Sequence, residues 1–181
     1  MAHRAPRLVP DPQDPAFETY FRVRFHEVDS LGHVNNAAYL NYVEQAAIDH
    51  ATFLGLDLQR LQRLGGVFVA RRHEIEFLKP TFAGDVLRVI TWLGEPRGAR
   101  VDRQYLVFRE PSSVPEVALA GRPMPHAGMP APDALVARAT TEWVFASNQG
   151  QARRIPDEIV RIFRAGVTQG PTAEPQGGSS F

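Results

Sequence analysis

The residues best equipped for chemistry stand together in the stretch DSLGHVNNAAYLNYVEQA, residues 29–46. A carboxylate, Asp29, is followed by Gly32, His33, Asn35 and Asn36, and then by a run with helical spacing. The first amides of a helix have no partner inside the helix. Aimed at a carbonyl, they polarise it and hold the oxyanion that forms on attack. A carboxylate nearby can attack that carbonyl, or activate a water to do so. Asp29 with the amide near Asn36 is the minimum equipment for acyl transfer. Each residue also has a plainer reading. Asp29 would be favoured by the helix dipole, although its distance from the helical run suits Asn35 or Asn36 better as the N-cap. His33 is either a general acid/base or the group that fixes the loop. Asn35 and Asn36 either cap the helix or contact substrate. Tyr39, one turn in, reads as core before catalyst. Glu44, two turns in on a largely apolar helix, reads first as a buried carboxylate held by a structural hydrogen bond.

Other chemistries lack their parts. The chain has no cysteine, which removes a thiolate nucleophile, disulfides and cysteine-ligated zinc. His73-Glu74-Ile75-Glu76-Phe77 lacks the second histidine of a zinc-protease motif. There is no glycine-flanked serine elbow and no phosphate-binding glycine loop. Ser30 has no clear base beside it. No metal or organic cofactor is expected. Lysine plus arginine and aspartate plus glutamate number 20 each, so the basic surplus of a nucleic-acid-binding domain is missing. The first residues, MAHRAPRLVPDPQDP, do not form a signal peptide, and no apolar run approaches the roughly 20 residues that span a bilayer. A cytoplasmic protein without membrane or nucleic-acid partners is expected.

The elements that must position these residues are legible as periodicity. The 181 residues suit one domain, with a loose arm over residues 1–16, a folded unit over 17–165 and a disordered tail over 166–181. Thr19 to His26 alternates as a strand. Ala37 to Leu54 is a helix ended by Gly55. Its alanines at 37, 38, 46, 47 and 51 predict burial on most sides. A short polar piece, residues 57–66, precedes strands over 67–78, 85–93 and 101–110, and a further strand runs from about Leu135 to Ser147. A short helix begins near Ile155-Pro156, with acids in its first turn. Residues 111–134 hold six prolines and read as a disordered hairpin insert or a mobile lid. One sheet covers an apolar helix by curling around it, which predicts an α+β architecture. The uncovered face of such a sheet predicts an oligomer.

The spacing Asp29-(two)-Gly32-His33-Val34-Asn35-Asn36-(two)-Tyr39-(two)-Tyr42-(one)-Glu44 resembles the hot-dog fold acyl-CoA thioesterases of the 4-hydroxybenzoyl-CoA thioesterase type. Glu76-Phe77-Leu78-Lys79-Pro80-(three)-Gly84-Asp85 resembles their second-to-third strand turn. The resemblance implies a five-stranded antiparallel sheet wrapped around a long central helix, with a short C-terminal helix. It implies a homodimer or homotetramer with its site between subunits. It implies hydrolysis of an acyl-CoA, with Asp29 as nucleophile or general base and the Asn36 amide polarising the carbonyl. Coenzyme A would then be part of the substrate, and Arg71, Arg72, Lys79 and Arg88 are candidates to meet its phosphates. An enoyl-thioester hydratase or dehydratase and a non-catalytic acyl-CoA-binding protein are the alternatives on the same fold.

Overall fold

The computed structural model describes Pro10 and residues 15–111, 122–123 and 128–166; most of the expected arm and tail lies outside the described residues. Five long antiparallel strands form the sheet: β1 (Phe17–Arg22), β2 (Val67–Phe77), β3 (Val86–Leu93), β4 (Arg100–Glu110) and β6 (Leu135–Ala146). A two-residue strand, β5 (Arg122–Pro123), lies alongside β1, and the order across the sheet is β2-β6-β4-β3-β1-β5. The helices are α1 (Asn36–Phe53), α2 (Leu58–Arg63) and α3 (Asp157–Ala165). This is the architecture expected, with one helix lying on a curled sheet. The first strand sits two residues earlier than its alternation suggests, and Phe25–Glu27 forms a single 3-10 turn instead of strand.

α1 lies on the concave face. Tyr39, Tyr42, Val43, Ala46 and Ala47 pack against Leu87, Val89, Tyr105, Val107, Ala137 and Ala139. The alanines let the helix approach the sheet closely. Their small size does not bury the whole helix, which corrects the expectation of burial on most sides. Ala37, Leu40, Asn41, Glu44, Gln45 and Ile48 form an exposed stripe, because the sheet of one copy covers only one side of the rod. The polar piece after α1 proves to be α2, capped by the Asp57 carboxylate, which accepts from the Arg60 amide at 2.7 Å.

The convex face is covered as well. Met129, Ala134 and Leu135 pack over Ile90, Trp92, Leu106 and Phe108. Nearly every residue of β3 is therefore buried, which is why its sequence runs apolar on both faces instead of alternating. Met129 and Ala134 of the insert thus lie against the back of the sheet, on the face opposite α1, while β5 extends its edge.

Candidate active site

Residues 27–35 fold into a miniature hairpin directly before α1. The Asn35 amide donates to the Glu27 carbonyl at 2.8 Å, Val28 bridges Val34, and the Asp29 amide donates to the His33 carbonyl at 2.8 Å. At the tip, Gly32 adopts φ 79°, a left-handed conformation that a side chain disfavours. The Asp29 side chain closes this tip: Oδ1 accepts from the Leu31 amide at 2.9 Å and the His33 amide at 3.2 Å. Among the described residues Oδ2 takes no hydrogen bond, and Asp29 is exposed. Among the described residues no hydrogen bond joins the carboxylate to the amides of α1.

The helix start is prepared separately. Asn35 is the N-cap, its side-chain oxygen accepting from the Ala37 amide at 2.9 Å. Its carbonyl accepts from the Ala38 amide at 2.9 Å. The Asn36 amide, at the first helical position, has no partner among the described residues. Of the two asparagines, one caps and the other presents a free donor.

Two tyrosines of α1 tie this loop to the fold. The Tyr39 hydroxyl shares a 2.7 Å hydrogen bond with Thr81 Oγ1, and the Thr81 carbonyl accepts from the Val34 amide at 2.8 Å. The Tyr42 hydroxyl donates to Glu27 Oε2 at 2.8 Å, and the same oxygen accepts from the Arg24 amide at 2.6 Å. Burial raises the Tyr39 phenol above its ordinary range, against the opposing pull of the Thr81 bond. Burial raises Tyr42 further, reinforced by the bond to Glu27 and its charge. Both phenols stay protonated at neutral pH and act as clamps. Tyr42 stands in the quoted spacing without an assigned role, and Glu27 and Thr81 are not among the sequence-based candidates. The bonds from Tyr42 to Glu27 and from Tyr39 to Thr81 span 15 and 42 positions, so no local pattern shows them.

His33 holds the loop through its backbone, bridges Phe82, and sets its ring edge-on to the Phe82 ring at 5.4 Å. Its ring makes no hydrogen bond among the described residues, so the loop is held by the His33 backbone and not by the imidazole. Glu44 departs from expectation. It is exposed and makes no hydrogen bond or ion pair among the described residues, because it falls on the uncovered stripe of α1. It stands eight residues from Asn36, about 12 Å along the helix.

The basic candidates scatter. Lys79 lies close to the Thr81 segment and donates to the Asp133 carbonyl. Arg71 meets Glu142 at 3.4 Å and Arg72 meets Glu74 at 2.9 Å, seven or more residues up β2 from Lys79 and so roughly 23 Å away. Arg88 is removed from the candidates. It is buried on the convex face, where it pairs with Glu18 and donates to the Gly128 carbonyl at 2.7 Å. One copy therefore gathers Asp29, His33, Asn35, Asn36 and Tyr39, and leaves Glu44, Arg71 and Arg72 apart. Among the described residues no group of three metal-ligating side chains assembles, and no helix is long and apolar enough to cross a membrane.

The chain is similar in sequence and fold to known proteins. Over 104 residues the chain is 27% identical to the chloroplastic acyl-acyl carrier protein thioesterase ATL3 of Arabidopsis thaliana, covering 58% of this chain and 55% of that relative. It thus spans about half the length of that relative. A hypothetical protein from Thermus thermophilus is similar in structure with TM-score 0.64 and 26% identity, covering 82% of this chain and 97% of the other. A 4-hydroxybenzoyl-CoA thioesterase mutant, complexed with 4-hydroxybenzoyl-CoA, aligns with TM-score 0.65 at 20% identity over 82% of this chain and 99% of the other, which supports the hot-dog fold. Residues 23–163 match the thioesterase-like superfamily, and the chain belongs to it.

Proposed function

We propose that this protein hydrolyses an acyl thioester, releasing a carboxylic acid and a thiol, and that acyl-CoA is the substrate. The observation that carries the reading is the division of labour at Asp29. Oδ1 is held by two tip amides, while Oδ2 takes no hydrogen bond among the described residues and the side chain as a whole is exposed. A carboxylate held in this way has a fixed direction and one lone-pair face available. It takes a proton from water as the water attacks the thioester carbonyl, or attacks that carbon itself. The Asn36 amide receives the developing oxyanion, with the positive end of the α1 dipole behind it. Collapse of the tetrahedral intermediate expels the thiolate. Lys79, at the same end of the molecule, is placed for a coenzyme A phosphate; Arg71 and Arg72 would serve only across a subunit boundary.

Within one copy Asp29 lies in the loop before α1 but makes no hydrogen bond to the α1 amides among the described residues. The complete site therefore forms between two copies, and the protein works as a homodimer. Support comes from the sheet: β5 occupies the outer edge of β1, whereas the outer edge of β2 has no partner among the described residues. An open edge of this length is a pairing surface. Met129, Ala134 and Leu135, packed on the convex face, disfavour stacking there.

Asp29→Asn is the decisive variant, because the amide oxygen still accepts from Leu31 and His33 while the charge is lost. Thiol release from a panel of acyl-CoA and acyl-carrier-protein thioesters should fall at least ~10²-fold in kcat, with the melting temperature unchanged. Equal turnover by Asp29→Asn and the wild type on an active substrate rules out this mechanism.

A further inference from the structure

We infer that the polar floor beneath α1, built by Tyr105, Thr141 and Trp143, receives an oxygen atom carried at the far end of the acyl group, so that the preferred substrates are ω-oxygenated acyl thioesters. This rests on the hydrolase reading above and names its substrate class. The floor follows from strand register. Tyr105 stands opposite Ala139, Arg103 opposite Thr141 and Val101 opposite Trp143, and His73 of β2 stands opposite Thr141 from the other side. Alternate residues of a strand share a face. Tyr105 and Ala139 pack with Ala46 and Ala47 of α1, so this face is the concave one. Polar side chains therefore gather under a helix whose inner side is lined with alanine.

The chemistry of this floor is one-sided. The Tyr105 hydroxyl and Trp143 Nε1 are buried and have no hydrogen-bond partner among the described residues. Tyr105 is 1% exposed, and its hydroxyl faces the Thr141 and Trp143 side chains without completing a bond to either. Thr141 Oγ1 already shares a 2.9 Å hydrogen bond with His73 Nδ1. Burial raises the Tyr105 phenol, so it keeps its proton and donates. An indole nitrogen can only donate. The alanines above bring no acceptor. Glu44, on the exposed stripe of α1, is the acid whose charge reaches Tyr105, and it makes no hydrogen bond there. Arg103, buried and without an acid among its described contacts, adds positive charge beside the phenol. Two donors and a cation with no acceptor complement the lone pairs of an oxygen, and a buried donor left unpaired is costly. The floor also has a defined depth. Phe77 sets its ring against Tyr39, one turn into α1, and His73 lies four residues back along β2, about 13 Å away. An extended chain advances about 1.2 Å per bond, which places the oxygen roughly 11 bonds beyond the thioester.

Matched acyl-CoA pairs read this directly: an ω-hydroxyacyl thioester against the unsubstituted one of equal length, over chains of about 8 to about 12 carbons. Thiol release should favour the hydroxylated member at least ~10-fold in kcat/KM at the best length, because a site that hydrogen-bonds a substrate oxygen rejects the analogue lacking it. Tyr105→Phe and Trp143→Phe each remove one donor and keep a ring in place. Each should bring that ratio toward one, whereas a purely structural loss lowers both substrates together. Independently of turnover, the Trp143 indole N–H resonance, assigned by its loss in Trp143→Phe, should move downfield on adding the free ω-hydroxy acid and stay in place with the plain acid. A ratio of one at every length with an unmoved indole signal overturns the subsite and assigns the floor to water alone, while the hydrolase reading stands on thiol release. A ratio that neither variant changes also overturns it. An indole shift without thiol release from any thioester keeps the subsite and ends the hydrolase reading.

Discussion

The carboxylate of Asp29 uses its two oxygens differently. One closes the hairpin tip, and the other takes no hydrogen bond among the described residues of this exposed side chain. The two bonds at the tip account for an acid that stands seven residues ahead of a helix it does not cap. Capping falls to Asn35, whose side chain takes up the Ala37 amide. Asn35→Ala should lower unfolding stability by about 1 kcal/mol, measured by urea denaturation, because one helix-start amide loses its acceptor. The Asn36 amide offers a hydrogen bond that no side chain of the described residues fills. Substitution of the Asn36 side chain should therefore cost far less activity than the change at Asp29, since the donor is backbone.

At the scale of elements, α1 does more than point its first turn at the site. Tyr39 reaches Thr81, and Thr81 in turn holds the Val34 amide, so one phenol couples the helix, the β2–β3 connection and the hairpin. Tyr39→Phe should lower stability by about 1 kcal/mol. It should also reduce kcat, by less than the ~10²-fold expected at Asp29, because the loop loses a tether but keeps its base. Steady-state kinetics and thermal melts on one preparation separate the two effects. The junction between α2 and β2 is tighter still. A Cβ at Gly66 would lie 2.1 Å from the Ala146 carbonyl oxygen, against backbone of β6 that cannot yield locally. Gly66→Ala should destabilise the protein by about 3 kcal/mol, or push β2 away from β6, which amide hydrogen exchange along β2 would report.

Across the whole molecule, the interior holds a cation with no acid beside it in the described contacts. Arg103 Nη1 lies 2.9 Å from His50 Nδ1 and 3.2 Å from Thr91 Oγ1, and the His50 ring stacks on Phe17. Burial first, and then the Arg103 charge, hold His50 well below its ordinary value, so it is neutral and accepts from the guanidinium. Burial also lowers Arg103. The unfolded chain binds a proton at His50 below pH about 6.5, and the folded chain does not. The contribution of His50 to stability is thus complete above that pH and is lost as pH falls. Stability should drop by up to about 1.4 kcal/mol per pH unit below pH ~6.5 from this group alone. His50→Gln should flatten that slope in urea titrations at pH 7 and pH 5.5; an unchanged slope would place the acid sensitivity elsewhere.

Local signals in the sequence determined what neighbours along the chain can settle. Asn35 and Gly55 bracket α1 because a cap and a left-handed residue act within one turn, and alternation marks the long strands because side chains change face at each residue. The acid, the histidine and the free amide of the candidate site fall within eight residues and were legible for the same reason. The tertiary structure alone decided which groups they meet. Tyr39 finds Thr81 42 positions away, and Arg88, which reads as an exposed phosphate ligand, is buried against Glu18 70 positions away. Glu44 reads as buried and is exposed, since helical spacing identifies a face but not how far a sheet will curl around it. Cross-strand pairing joins residues remote in sequence, and burial follows from that pairing, so these choices are made only when the chain closes on itself.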